Sequence, residues 1–233
     1  MGKVELKEKK EIINRVYYQL NRTYYQYVER KSRDYYNLFE SQIVIKPEFE
    51  KESKMKERIG FYFFIMNNIT RESDLLKLAD NIVDTNFNEI FFPGLKAQDF
   101  GIDAYYINDK EEEPEIYLFN FKYRDEFGNG GQGENEIKLS KDFLDALKYN
   151  KKRSLKHKSL KMFNEIKSIL DEKSSISIKL FFVSNDTHAL NNTHVIESFK
   201  TSYDVDVIPI VLSDISEMTS LRHWIVSADP FGV

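Results

Sequence analysis

A chain of 233 residues, 41% hydrophobic and 31% charged, has room for one large domain with a sizeable core, or for a core with a helical extension. It contains no cysteine, which excludes disulfides and cysteine-ligated zinc or iron–sulfur sites and agrees with a reducing, cytoplasmic setting. A net charge of −4 excludes a global basic field, so contact with nucleic acid has to use a local patch.

The N-terminus, MGKVELKEKKEI, has no apolar run and is not expected to be a secretory leader; Leu6 breaks the myristoylation pattern after Gly2. No stretch approaches the roughly 18 apolar residues of a membrane span, so no membrane partner is expected. The first forty residues read as a helix with Ile12, Val16 and Leu20 on one apolar stripe, widened by Tyr17, Tyr18, Tyr24, Tyr25, Tyr27, Tyr35 and Tyr36. A long packing helix is the main reading of these tyrosines, with a base-stacking platform beside it. Pro47 is expected to open a second helix through KPEFEKESKMKERIGFYFFIMNNI, whose GFYFFIM segment is apolar all round and therefore buried. SDLLKLADNIVD should form a third, capped by Ser73.

The period then changes. NEIFF, GIDAYYI and EIYLFNFKYR read as three strands. FGNGGQGEN is expected to be a flexible loop, followed by a long helix from about Leu139 to Leu170. SISIKLFFVSND is a strand, a helix follows near 193–201, and Pro209 marks DVDVIPIVL as an edge or bulged strand. The tail, SEMTSLRHWIV, reads as helix. No repeat or proline-rich linker divides the chain. The order predicts an α/β fold, with a mixed central sheet of about four to five strands flanked by helices and a helical N-terminal extension. The division is residues 1–46 for the extension and 47–233 for the α/β domain.

Side chains alternate along a strand, so Ile116, Leu118, Asn120 and Lys122 share one face of EIYLFNFK, and the aromatic set Tyr117, Phe119, Phe121 and Tyr123 the other. Asn120 and Lys122 end an otherwise apolar row and need a polar partner. Asp103, just after Gly101, supplies one if the two strands form a hairpin. A carboxylate, an amide carbonyl and an ammonium then converge, as metal-assisted hydrolysis requires. Asp103 and the Asn120 carbonyl would be metal ligands, and Lys122 would orient or help deprotonate water and offset phosphate charge. A buried Asp103–Lys122 ion pair stapling two strands accounts for the same spacing equally well.

DFGIDAYYI followed by EIYLFNFKYR resembles the catalytic segment of the PD-(D/E)xK nucleases, and within them the N-terminal region of the abortive-infection phage-resistance (AIPR) proteins. Gly101, Ile102 and Asp103 match the Gly-Ile-Asp of that family, and Lys122 and Tyr123 its Lys-Tyr. The resemblance covers about residues 55–215, sharply only some 25 of them. It implies a restriction-endonuclease-like core and a Mg²⁺- or Mn²⁺-dependent endonuclease acting in anti-phage defence, on DNA in preference to RNA. Members are often longer than this chain, so an N-terminal fragment, or a short version working as a homo-oligomer or beside a partner subunit, is also expected. The departure is Asn120, where the superfamily has Asp or Glu and the closer relatives Gln. That substitution favours the alternative of an inactive nuclease-like module that binds nucleic acid or a partner protein.

The family's additional helix acid would be Glu57 or Glu72, each also readable as a solvated helix residue. Asp99 would be an extra ligand or a turn former. The run KYNKKRSLKHKSLK offers Lys148, Lys151, Lys152, Arg153, Lys156, Lys158 and Lys161 as phosphate contacts or as a solvated face. His188 and His194 lack a third ligand and read as surface or capping residues.

Overall fold

In a computed structural model, the structure describes residues 3–44, 46–49, 54–94, 100–109, 113–128, 130–152, 155, 157–173 and 175–227, with backbone alone for 3–9 and 220–227. The chain is α/β. Helices α1 (Lys3–Glu40), α2 (Met55–Thr70), α3 (Leu75–Asp80) and α4 (Thr85–Phe91) precede strands β1 (Ala104–Asn108) and β2 (Glu115–Lys122). Helices α5 (Glu134–Lys138), α6 (Ser140–Lys148) and α7 (His157–Glu172) lead to β3 (Ser177–Ser184). Helix α8 (Thr193–Tyr203), β4 (Val205–Ile210) and α9 (Leu212–Ser227) follow.

The four strands lie in sequence order: β1 antiparallel to β2, then β2, β3 and β4 parallel. The C-terminal ends of β2, β3 and β4 and the N-terminal end of β1 therefore share one edge. Strand parity divides the core as the alternation predicts. Phe119, Phe121, Tyr123, Phe181 and Val183 pack under α1 and α2, whereas Ile116, Leu118, Leu180 and Phe182 pack under α5–α8. Pro209 sits in β4, the edge strand, where its missing N–H breaks no ladder.

The apolar helix α2 is enclosed between sheet and α1. Tyr62 stacks on Phe121 at 4.6 Å and Phe61 meets Tyr123 at 5.4 Å. On its other side Gly60 lets the α1 backbone in: a Cβ there would lie 1.7 Å from the Ser32 carbonyl oxygen.

Several expectations are corrected. Residues 88–92 are not a strand, because Asp84 caps α4 by accepting from Phe87 N at 2.7 Å, and Phe87 and Phe91 turn toward Phe39. Helix α2 starts at Met55, so Pro47 does not open it, and α3 is capped by Asp74 rather than Ser73. The stretch 139–170 is two helices, not one. Ile12, Val16 and Leu20 are exposed; α1 buries Asn21, Tyr25, Val28, Ser32, Tyr36 and Phe39 instead.

Gly60→Ala should lower stability by about 2 kcal/mol or more, since neither helix backbone can yield without separating the layers. Urea unfolding measures this, and an unchanged midpoint would contradict so close a helix approach.

Candidate active site

The shared sheet edge gathers the charged residues. Phe100 and Gly101 both take positive φ, and Gly101 packs so tightly that a Cβ would lie 2.7 Å from Leu139 and Ser140. This turn delivers Asp103 to the start of β1. Asp103 N donates to Phe119 O at 2.7 Å, its carbonyl accepts from Val83 N and Asp84 N, and Oδ2 accepts from Phe121 N at 2.5 Å. Asp103 thus stands one step beyond the Ala104–Phe119 pair, opposite Asn120.

Asn120 is 6% exposed. Its Nδ2 lies 2.8 Å from Gly101 O, 3.3 Å from Glu136 O and 3.3 Å from Ser140 Oγ. Three acceptors around one atom identify it as the amide nitrogen. Asn120 therefore ties the turn before β1 to the starts of α5 and α6.

Lys122, the next residue on that face, pairs with Glu136 Oε1 at 3.2 Å. Parity carries on one more step to Arg124, which reaches Glu136 Oε1 at 3.2 Å and Asp186 Oδ1 at 3.2 Å. Burial works against the Arg124 charge, but hydrogen bonds and charge from Asp186 and Glu136 outweigh it and hold its pKa above the usual value. Asn185 grips the Arg124 backbone from both sides, accepting from its N at 2.6 Å and donating to its O at 2.9 Å.

The glycine-rich loop is pinned, not loose as its composition suggests. Gly130 O accepts from Thr187 N and His188 N, and Gln132 Nε2 donates to Phe182 O at 2.7 Å and Ile210 O at 2.9 Å. Glu136 closes α5 by accepting from Gly133 N at 3.3 Å.

The remaining candidates lie elsewhere. Glu57 joins α2 to α1 through Arg33 at 2.6 Å, on the aromatic face of the sheet, and Glu72 pairs with Lys77 at 2.7 Å in the α2–α3 turn. Asp99, Arg153 and Lys156 fall outside the described residues. Among the described residues the basic run does not form one face. Lys158 is buried against Asp80 at 3.1 Å and 4.4 Å from the Phe92 ring, and burial pushes its pKa down. Lys161 also pairs with Asp80. Lys148 donates to Ser202 O at 2.7 Å, next to the start of β4 and so at the far end of the sheet. Lys151 lies over Tyr149, and Lys152 is exposed. His188 and His194 are exposed.

Glu136, Arg124 and Asp186 were not among the sequence candidates. Arg124 is legible as the next parity position after Lys122, and Asp186 as the residue just past a parallel strand. Glu136 has only the Gly133-x-x-Glu136 capping signal, which says nothing of its approach to Lys122.

The oxygens around the Asn120 amide are Gly101 O, Glu136 O and Ser140 Oγ, and the carboxylates of Asp103 and Glu136 lie at the same end of the sheet. That chemistry fits a magnesium-class ion, which takes one or two carboxylates and fills its shell with water and phosphate oxygen. No group of three or more His, Asp or Glu placed to hold a metal occurs among the described residues. No helix among them is long and apolar enough to cross a membrane.

Asn120→Asp should cost about 2 kcal/mol at neutral pH, because a carboxylate would face two carbonyls that now receive a hydrogen bond. Those carbonyls favour the protonated acid and raise its pKa in the folded state, so the loss should shrink as pH falls. Unfolding at pH 7.5 and about pH 4.5 tests this, and a variant as stable as the parent at pH 7.5 would contradict the assigned amide role. Compared with known proteins, the chain matches no family model, no curated protein and no solved structure.

Proposed function

We propose that the chain is a metal-dependent nuclease domain of the PD-(D/E)xK type, acting on DNA in anti-phage defence, with Glu136 of α5 as its second acid. The observation that carries this reading is local. Asn120 occupies the motif's acid position, its amide meets the Glu136 carbonyl at 3.3 Å, and the Glu136 carboxylate lies 3.2 Å from the motif lysine. The helix thus returns a carboxylate beside the place where the strand lacks one. Asp103 stands opposite Asn120 in the strand pair. The defence role rests on the AIPR resemblance.

Asp103 and Glu136 would hold Mg²⁺ or Mn²⁺. Such an ion, when bound, polarises the scissile phosphate and lowers the pKa of water. Two cations, Lys122 and Arg124, stand against the three carboxylates of Asp103, Glu136 and Asp186, so a divalent ion turns a net negative cluster positive and suited to a phosphodiester. Lys122, 40% exposed, exchanges Glu136 for substrate at little cost, because pairs open to solvent are weak. It then orients the attacking water and offsets charge developing on phosphate oxygen. Arg124 stays anchored on Asp186.

A second reading has its own support. Glu136 is shared by Lys122 and Arg124, and a cluster compensated in this way suits a nuclease-like module that binds nucleic acid or a partner protein without cutting.

Linear DNA, circular DNA and RNA incubated with Mg²⁺ or Mn²⁺ separate the two. Cleavage should disappear with EDTA and fall at least about 100-fold in Asp103→Asn, which keeps an acceptor for Phe121 N, in Lys122→Ala and in Glu136→Gln, with melting temperatures close to the parent's. Binding without cleavage in either metal would establish the module instead.

A further inference from the structure

The N-terminal half of α1 runs past the core. Every residue from 10 to 20 is exposed, a stretch of about 15 Å at helical rise. Residues 3–33 carry nine Lys or Arg against four Glu, in a chain whose net charge is −4. Within residues 10–23, exposed but for Asn21, the charges are Lys10, Arg15 and Arg22 against Glu11, a local basic surface, whereas the described lysines of the 148–161 run are dispersed by their contacts.

Positions 15, 18, 22 and 25 recur at helical spacing and form one stripe: Arg15, Tyr18, Arg22 and Tyr25. Its lower end is fastened to the segment that follows β2, on the aromatic side of the sheet. The Tyr25 hydroxyl donates to Arg124 O at 3.1 Å, and the Tyr18 ring meets Phe127 edge-on at 5.2 Å. One residue round the helix, the Tyr17 hydroxyl lies 3.5 Å from the carbonyl of Thr187, the neighbour of Asp186. The stripe therefore leads out from the edge that holds Lys122, Arg124 and Glu136. Tyr18 keeps 38% of its surface exposed and Tyr17 48%. Arg15 and Arg22 are exposed and form no ion pair among the described residues.

We infer that the Arg15–Tyr18–Arg22 stripe grips a single-stranded stretch of DNA and guides it to the Asp103–Lys122–Glu136 cluster, an inference that rests on the nuclease reading. Charge selects a polyanion over an apolar partner. The exposed ring between two guanidiniums selects unpaired bases, since a duplex buries the base faces on which an aromatic ring stacks. Ile13, Val16 and Leu20 lie on another side of the helix and take no part in this contact.

The test is fluorescence anisotropy of the full chain in EDTA, with labelled oligo(dT) of about 20 nucleotides and a duplex of equal length. The parent should bind the single strand more tightly. Arg15→Ala with Arg22→Ala should weaken that binding about ten-fold and flatten its salt dependence, while exposed Lys173→Ala leaves it unchanged. Tyr18→Ala should weaken it about ten-fold and Tyr18→Phe restore it, because the ring stacks and the hydroxyl does not. Parent-like binding by the Arg15/Arg22 variant, or a preference for duplex, would overturn the inference and leave the nuclease reading standing. A parent that binds neither probe would overturn the inference, and the cleavage assay in Mg²⁺ or Mn²⁺ would decide the nuclease reading separately. Weakened binding that accompanies a change in mass by light scattering would assign this face to self-association and overturn the inference.

Discussion

One buried amide sets the geometry of the sheet edge. Asn120 Nδ2, enclosed at the end of β2, is shared among Gly101 O, Glu136 O and Ser140 Oγ. A buried acceptor left without its donor costs about 1–3 kcal/mol, so a single side chain binds the turn before β1 to the two helices that follow β2. That turn delivers Asp103 to its place opposite Asn120, and α5 delivers Glu136 beside Lys122. A carboxylate at position 120 would repel the same two carbonyls. The neutral amide at position 120 thus holds the backbone of the helix whose Glu136 carboxylate reaches Lys122; on the nuclease reading proposed above, the second carboxylate comes from that helix and not from the strand.

The two cations beside it are held differently. Arg124 pairs with Asp186, whose side chain is 2% exposed, and its backbone is gripped by Asn185. Breaking that pair would leave a buried charge uncompensated, which is strongly destabilising. Lys122 and Glu136 are 40% and 25% exposed, in a regime where ion pairs contribute little. Arg124 is therefore held fast at this end of the sheet, whereas the Lys122–Glu136 pair is open enough to be parted.

Much of this was legible in the sequence wherever one element decides its own fate. The α1 helix, the all-apolar α2, the parity of Glu115–Lys122 and the edge position of Pro209 all follow from period and composition. Three features depended on distant partners. NEIFF is too short to show a helical period, and the Asp84 cap with Phe87 and Phe91 on the core side decides it. α1 carries two usable stripes, and the close approach of Gly60 to Ser32 selects the one with Tyr25, Val28 and Tyr36 over Ile12, Val16 and Leu20. The loop at Gly128–Gly133 looks mobile by composition but is held by Gln132 across the ends of β3 and β4, some fifty to eighty residues away in the chain. Of the site, Asp103, Asn120 and Lys122 could be aligned from strand register, whereas Glu136 arrives from a five-residue helix whose position depends on Asn120 itself.

Metal binding by electron paramagnetic resonance addresses the central claim without relying on turnover. Titrated with Mn²⁺, the parent chain should show one bound ion, and both Asp103→Asn and Glu136→Gln should lose it while remaining folded. If Glu136→Gln bound Mn²⁺ as the parent does, the second acid would not be Glu136, and the assignment of the catalytic carboxylates would be wrong.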